Sequence, residues 1–150
     1  MQDPPVSEVI QILRAFASAD ISYDELRAAL ADYLTISGDP YDMRVDYHKP
    51  LEVKIELTPS QIRPVLERYW RWELSDEELT HWACLLGVLD VYTNPSGLDA
   101  AEDEDTMDPL WDLLSDLSAP AILGMSLRQR VEKGLDELET LQRKLSSRAV

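Results

Sequence analysis

The stretch ADISYDELRAAL, from Ala19 to Leu30, recurs in pattern as WELSDEELTHWA, from Trp72 to Ala83, 53 positions further along the chain. Both stretches place Ser-x-x-Glu ahead of an apolar run, beginning at Ser22 and at Ser75. In such a capping box the serine oxygen accepts a backbone N–H three residues on, and the glutamate reaches back to the serine N–H. The sequence therefore predicts that a helix begins twice in the same way.

The residues that precede each stretch are also related at the same offset. Apolar residues recur there with helical spacing, so each segment has one apolar helix face. They are Val9, Ile12, Leu13 and Phe16 in the first copy and Ile62, Val65, Leu66 and Tyr69 in the second. Each copy is predicted to be a helix, a short turn and a capped helix, and the two αα-hairpins are expected to pack on each other. Duplication and independent convergence on the same capping residues explain the repeat equally well.

Between the copies the apolar residues alternate instead. They do so from Met43 to Tyr47 and from Leu51 to Leu57, with His48 in the bend. A period of two indicates strands, so we expect a small β-hairpin insert near residues 43–57. Two strands alone are barely stable, so this insert must lie on the helices or pair with another chain.

Two further helices are predicted after the second copy. Asp108 followed by Pro109 is a typical helix start, and that helix should end near Ser118. A third capping box at Ser126 opens a long C-terminal helix to about residue 146. The prediction is a mainly α fold of about six helices in a single domain spanning residues 1–150.

Composition limits the cellular setting. Cys84 is the only cysteine, which excludes an internal disulfide and a four-cysteine zinc site. The longest apolar run, Trp82–Leu89, is too short to cross a bilayer, and the N-terminus lacks a signal-peptide pattern. We expect a cytoplasmic protein that does not associate with membranes.

Few residues suggest catalysis. Glu78 and His81 have the Glu-x-x-His spacing of helical metal sites, but such sites need a second copy, and His48 has no such spacing. Cys84 lies among apolar residues and is expected to be buried and unreactive. The sequence also has no glycine-rich phosphate loop and no nucleophile elbow. The prediction is a protein that is not an enzyme and carries neither a metal nor another cofactor.

Charge is the most informative property. The chain has 29 acidic and 14 basic residues, for a net charge of −15. No Lys or Arg occurs from Trp72 to Leu127, so this segment holds nearly all the negative excess. Such a balance disfavours nucleic acid as a partner and favours a basic protein. The alternative is a solvated acidic face, or acids paired within the fold by Arg128, Arg130 and Lys133.

A partner-binding surface is therefore predicted from the acids of this segment and one tryptophan. Trp70 and Trp72 cannot both face inward on one helix, so one of them should be exposed and able to anchor a partner. The predicted partner-binding residues are Trp72, Glu73, Asp76, Glu77, Glu102, Asp103, Glu104, Asp105, Asp108, Asp112 and Asp116. If the last three form an exposed stripe, Leu110, Leu113, Leu114 and Leu117 should lie inward, with Trp111 at the edge.

The C-terminal helix supports a second hypothesis. Its apolar residues follow a four-three spacing like a short coiled-coil seam, at Leu127, Val131, Gly134, Leu138, Leu141 and Leu145. Packing on the chain's own domain is one use of this seam, and a homodimer is another. A structural module that self-associates through this helix or through an edge strand is thus the alternative function.

The phrases ILRAFASADISYDEL and VLERYWRWELSDEEL, in a small acidic helical chain, resemble bacterial colicin-type and related toxin-immunity proteins. The resemblance covers two stretches of about twenty residues each. It departs from the expected pattern at the turn, where Ala19 and Trp72 replace a glycine. It implies a non-enzymatic inhibitor whose acids cover the basic surface of a nuclease toxin.

Overall fold

The computed structural model describes residues 6–37, 43–49, 51–89, 91–93, 100–119 and 124–148, without the side chains of residues 6–7, 100–108 and 145–148. Six helices dominate these residues, so the mainly α fold is confirmed. The helices are α1 (Val6–Ala17), α2 (Tyr23–Ala29), α3 (Pro59–Trp70), α4 (Asp76–Val88), α5 (Ala100–Ser118) and α6 (Leu127–Arg148). The strands are β1 (Leu34–Ser37), β2 (Arg44–Tyr47), β3 (Ile55–Glu56) and β4 (Tyr92–Thr93).

Both predicted capping boxes form where the repeat places them. The Ser22 N–H donates to Glu25 Oε1 at 3.2 Å, and the Glu25 N–H donates to Ser22 Oγ at 3.1 Å. The equivalent bonds at Ser75 and Glu78 are both 3.1 Å long. These bonds satisfy N–H groups that would otherwise lack a partner at the starts of α2 and α4.

The turn before each box is also the same in both copies. Ala19 and Trp72 have positive φ, at 56° and 66°. In each copy the N–H of this residue bonds to the carbonyl three residues earlier, and the next N–H bonds to the carbonyl five residues earlier. Those bonds measure 2.9 and 2.8 Å in the first copy and 3.0 and 2.9 Å in the second. Each is a Schellman motif, in which the position held by Ala19 or Trp72 is usually glycine.

The two hairpins pack on each other, as predicted. Helix α4 contacts both α1 and α2. Trp82 Nε1 donates to the carbonyls of Phe16 and Ala17 at 3.1 and 3.2 Å, and Arg68 Nη1 donates to the Ala19 carbonyl at 2.9 Å. These bonds tie the end of α1 to the second copy.

The small antiparallel hairpin exists, but its strands differ from the predicted pair. β2 pairs with the preceding β1, Leu34 opposite Tyr47, and not with residues 51–57. After β2 the chain bends at His48, whose N–H donates to the Tyr33 carbonyl at 2.7 Å. Leu34 and Ile36 are buried and alternate with exposed residues, so β1 rests its apolar face on the helices.

Of the predicted strand over residues 51–57, only Ile55 and Glu56 form a strand, and it pairs elsewhere. Ile55 and Glu56 run parallel to Tyr92 and Thr93, and the whole α3–α4 hairpin lies between them in sequence. The Tyr92 hydroxyl donates to the Leu13 carbonyl at 2.6 Å. This hydrogen bond links the end of the second copy to the first copy.

Helix α5 begins earlier than predicted. It starts at Ala100, not at Asp108, so Pro109 lies inside the helix. The acidic sequence before Pro109 suits the first turns of a helix, where negative charge is favourable. The predicted inward face is confirmed, since Leu110, Leu113, Leu114 and Leu117 are buried and Trp111 is only partly exposed.

Helix α6 packs on α3 and α5, and its seam faces the chain's own core. Its capping box forms between Ser126 and Gln129, with bonds of 3.0 and 3.2 Å. The seam residues whose side chains are described are all buried, from Leu127 to Leu141. At Gly134, α6 approaches α5 so closely that a Cβ would lie 2.6 Å from Leu113 Cδ1.

Within the described part of the chain, no helix has the length and apolar character that a membrane span requires.

Candidate functional site

Trp72 is an unusual residue for the position it occupies. It follows the last turn of α3, has a φ of 66° and is 76% exposed. A bulky residue at positive φ is a backbone outlier, and such strain is concentrated at functional sites. Burial cannot explain why this tryptophan is present.

A guanidinium lies between two indoles at this turn. Arg128 Cζ is 3.9 Å from the ring centroid of Trp72 and 4.2 Å from that of Trp70, which is 38% exposed. Arg128 Nη2 also donates to the Trp70 carbonyl at 3.2 Å. The two distances from Arg128 Cζ to the ring centroids are well within the range of cation–π attraction. We call Trp70, Trp72 and Arg128 the Trp–Arg cluster.

The cluster contains one further local cost besides the strained turn. Arg128 Nη1 is buried and has no hydrogen-bond acceptor among the described residues. Unfavourable local features that coincide in this way are expected where function, rather than folding, selects the residues.

Acidic side chains lie beside the cluster. Glu73 accepts a hydrogen bond from Arg71 Nε at 2.9 Å, and both side chains are at least half exposed. Asp76 accepts the Tyr69 hydroxyl at 2.5 Å. Burial, together with this bond to Asp76, raises the pKa of Tyr69, so the phenol stays protonated and donates. The structure thus places three predicted partner-binding residues, Trp72, Glu73 and Asp76, at one end of α3 and the start of α4.

The predicted acids on α5 differ from one another. Asp112 is exposed, and no ion pair of the described residues includes it. Asp116 instead binds Arg130 Nε at 2.7 Å, and Arg130 also binds Glu137 at 2.7 Å while being only 4% exposed. Burial lowers the pKa of Arg130, but its bonds to the two carboxylates outweigh that effect and raise it. Internal pairing, which the sequence left open as an alternative, therefore applies to Asp116.

Five predicted acids fall outside the side chains that the structure describes. They are Glu102, Asp103, Glu104, Asp105 and Asp108, whose backbone belongs to α5.

A groove of about 550 Å³ lies between the two hairpins. Equivalent residues of the two copies line it, and they are Ile21 with Leu74, Ser22 with Ser75 and Asp24 with Glu77. Tyr23 and His81 stack across it, with ring centroids 4.9 Å apart. Glu77, also predicted to bind a partner, is therefore exposed at this groove and one residue from Asp76.

The residues considered for metal binding or catalysis instead have roles in the fold. Glu78 caps α4 through the Ser75 N–H, and His81 stacks on Tyr23. Cys84 is buried, and burial raises the pKa of its thiol. Among the described residues no group of His, Cys, Asp or Glu side chains has the arrangement of a metal site.

Sequence reasoning missed the role of Arg128. It treated Arg128 as a partner for nearby acids, whereas the structure stacks it on Trp70 and Trp72. The available signal was weak, since Arg128 is the first basic residue after the Lys/Arg-free segment and stands 56 positions beyond Trp72. Only the packing of α6 on α3 brings them together.

No protein-family model matches this sequence, and comparisons with curated proteins and with solved structures find no match either.

Proposed function

We propose that this protein is a non-enzymatic binding module that docks a basic protein partner through the Trp–Arg cluster and the acids beside it. The observation that carries the proposal is the 76% exposure of Trp72 on a strained backbone. Tryptophan is among the residues most enriched where single side chains dominate the binding energy at protein interfaces. In the same proposal the partner resembles a nuclease toxin, and the module acts as its immunity-type inhibitor.

The charge distribution supports a basic partner. Glu73, Asp76 and Glu77 are exposed and follow Trp72 directly along the chain. The Lys/Arg-free segment that begins at Trp72 extends this negative charge to Leu127. Opposite charge accelerates encounter and selects the partner, whereas a desolvated aromatic anchor supplies affinity. The two features occur together at this end of the molecule.

The alternative function, self-association, has less support from the fold. The described seam residues of α6 face the chain's own core, and Ile55 and Leu57 are buried too. Sedimentation tests it directly: a monomer at high micromolar concentration removes both routes as stable interfaces.

Capture from a lysate of the source organism tests the proposal, with two variants of equivalent turn positions. Trp72→Gly removes the anchor, and Ala19→Gly is the matched control because it makes the same change at the same position of the other Schellman motif. We expect the wild type and Ala19→Gly to retain one basic protein at low salt and to release it at high salt. Trp72→Gly should retain much less of it. Equal retention by all three proteins, or no basic partner at low salt, would overturn the proposal.

A further inference from the structure

The two indoles of the Trp–Arg cluster both contact the guanidinium of Arg128, and we call the space that this guanidinium fills the slot. Trp70 is the last residue of α3, and Trp72 is fixed by the Schellman motif that ends that helix. The guanidinium between them comes from a different element, because Arg128 belongs to the first turn of α6. Removing Arg128 would therefore leave the backbone that carries both rings in place.

Arg128 fills this slot, but one of its hydrogen-bond donors is left unsatisfied. It makes one hydrogen bond, to the Trp70 carbonyl, while the buried Nη1 has no acceptor among the described residues. No ion pair in the described part of the chain includes it, although Arg63, Arg71, Arg130 and Arg143 all have carboxylate partners. A buried donor without an acceptor weakens the contact that holds the side chain in place.

We propose that the slot between Trp70 and Trp72 is a guanidinium-binding site, closed by Arg128 in the free protein, in which an arginine side chain of the basic partner takes the place of Arg128. A guanidinium is planar and stacks on aromatic faces, whereas the compact ammonium of lysine is more strongly hydrated. Glu73 follows Trp72 in the chain, and Asp76 accepts the hydroxyl of Tyr69, whose ring lies 5.9 Å from Arg128 Cζ, so both carboxylates complement an incoming cation. The identity of the partner rests on the proposed function, but the chemistry of the slot does not.

Opening the slot by mutation tests this site without any partner. The probe is N-acetyl-arginine amide, titrated into Arg128→Ala and into the wild type while the indole N–H signals of Trp70 and Trp72 are followed by NMR. We expect the variant to bind the probe at least about tenfold more tightly, because in the wild type the tethered Arg128 competes at high effective concentration. N-acetyl-lysine amide should bind the variant more weakly than the arginine probe.

Two controls keep the test decisive. Arg128→Ala combined with Trp72→Ala should lose the gain in affinity, and retention of the gain would show that the probe binds elsewhere. Circular dichroism establishes that Arg128→Ala is folded, and if it is not, Arg128→Gln is titrated in its place with the same expected direction. A folded variant that binds the probe no more tightly than the wild type overturns the inference.

The outcome is distinguishable from that of the capture experiment. Tighter probe binding with no captured partner would support the guanidinium site but not the proposed function. A captured partner with no tighter probe binding would support the docking surface but not the displacement of Arg128. With a captured partner in hand, Arg128→Ala should strengthen its binding. Weaker binding would mean that Arg128 itself faces the partner and would overturn the inference.

Discussion

At the scale of single residues, two positions with the same backbone geometry carry very different side chains. Ala19 and Trp72 both have positive φ, at the same place in two Schellman motifs. Glycine would relieve the strain at either position. Alanine is a mild departure, since its side chain is small. Tryptophan at the second position requires a reason outside the fold, and the proposed docking surface supplies one.

Ala19→Gly should stabilise the fold. Glycine tolerates a φ of 56°, whereas alanine there is strained, so we expect the free energy of unfolding to rise by about 1 kcal/mol. Urea denaturation measures this change. A loss of stability would show that the positive φ at Ala19 carries no appreciable strain.

Asp112 and Asp116 form a matched pair one turn apart on α5. Asp116→Asn removes a charged acceptor 2.7 Å from buried Arg130, so it should destabilise by about 1 kcal/mol, a value reduced because the Asp116 side chain is 43% exposed and Glu137 still binds Arg130. Asp112→Asn should change stability by less than about 0.5 kcal/mol, as is usual for exposed positions. Equal losses in thermal denaturation would contradict the distinction between a paired and an exposed acid.

At the scale of helices and strands, local rules account for what the sequence could predict. The capping boxes at Ser22, Ser75 and Ser126 act over three residues, so the starts of α2, α4 and α6 could be read directly. Strand pairing depends on distant segments instead. β3 pairs with β4 across the whole second hairpin, and β1 has only four residues next to a helical pattern. The early start of α5 was hidden by Pro109, which is a good first residue of a helix but not a necessary one.

The contact of α5 with α6 depends on Gly134, which has no side chain. Gly134→Ala would place its Cβ 2.6 Å from Leu113 Cδ1, and Leu113 is fully buried, so its side chain has little room to move. Overpacking of this kind costs about 1–3 kcal/mol, which exceeds the gain of about 1 kcal/mol from the better helix propensity of alanine. We expect Gly134→Ala to reduce the free energy of unfolding.

A double-mutant cycle with Leu113→Ala tests the cause. In that background the clash is gone, so Gly134→Ala should become stabilising by up to about 1 kcal/mol. The same loss in both backgrounds would exclude the contact with Leu113 as the reason for the glycine.

At the scale of the whole molecule, the distribution of charge could be predicted from the sequence, whereas the surroundings of the proposed anchor Trp72 could be predicted only in part. The Lys/Arg-free segment predicted an acidic face and named Trp72 as a candidate anchor. Which acids are exposed, and which are paired, depended on where α6 lies, because Arg130 on α6 binds Asp116 on α5. For the same reason no local pattern could place Arg128 between two tryptophans of α3 and its turn.

Asp112→Lys tests whether the acidic field steers a partner. The site is exposed, so stability should be unchanged or higher by a few tenths of a kcal/mol through relief of like-charge repulsion. Binding to the captured basic protein should slow, chiefly in the association rate, and the difference should shrink at high salt. An unchanged association rate at low salt would show that Asp112 does not contribute to the electrostatic attraction of the partner.

If Trp72 is kept for binding and not for folding, Trp72→Gly should be as stable as the wild type. Glycine relieves the strain at a φ of 66°, which offsets the loss of a cation–π contact worth about 0.5–1 kcal/mol. We therefore predict that urea denaturation gives Trp72→Gly the same free energy of unfolding as the wild type, to within about 0.5 kcal/mol, while partner capture falls. A loss of more than about 2 kcal/mol, a size typical of core truncations, would contradict this prediction and make the Trp–Arg cluster part of the fold.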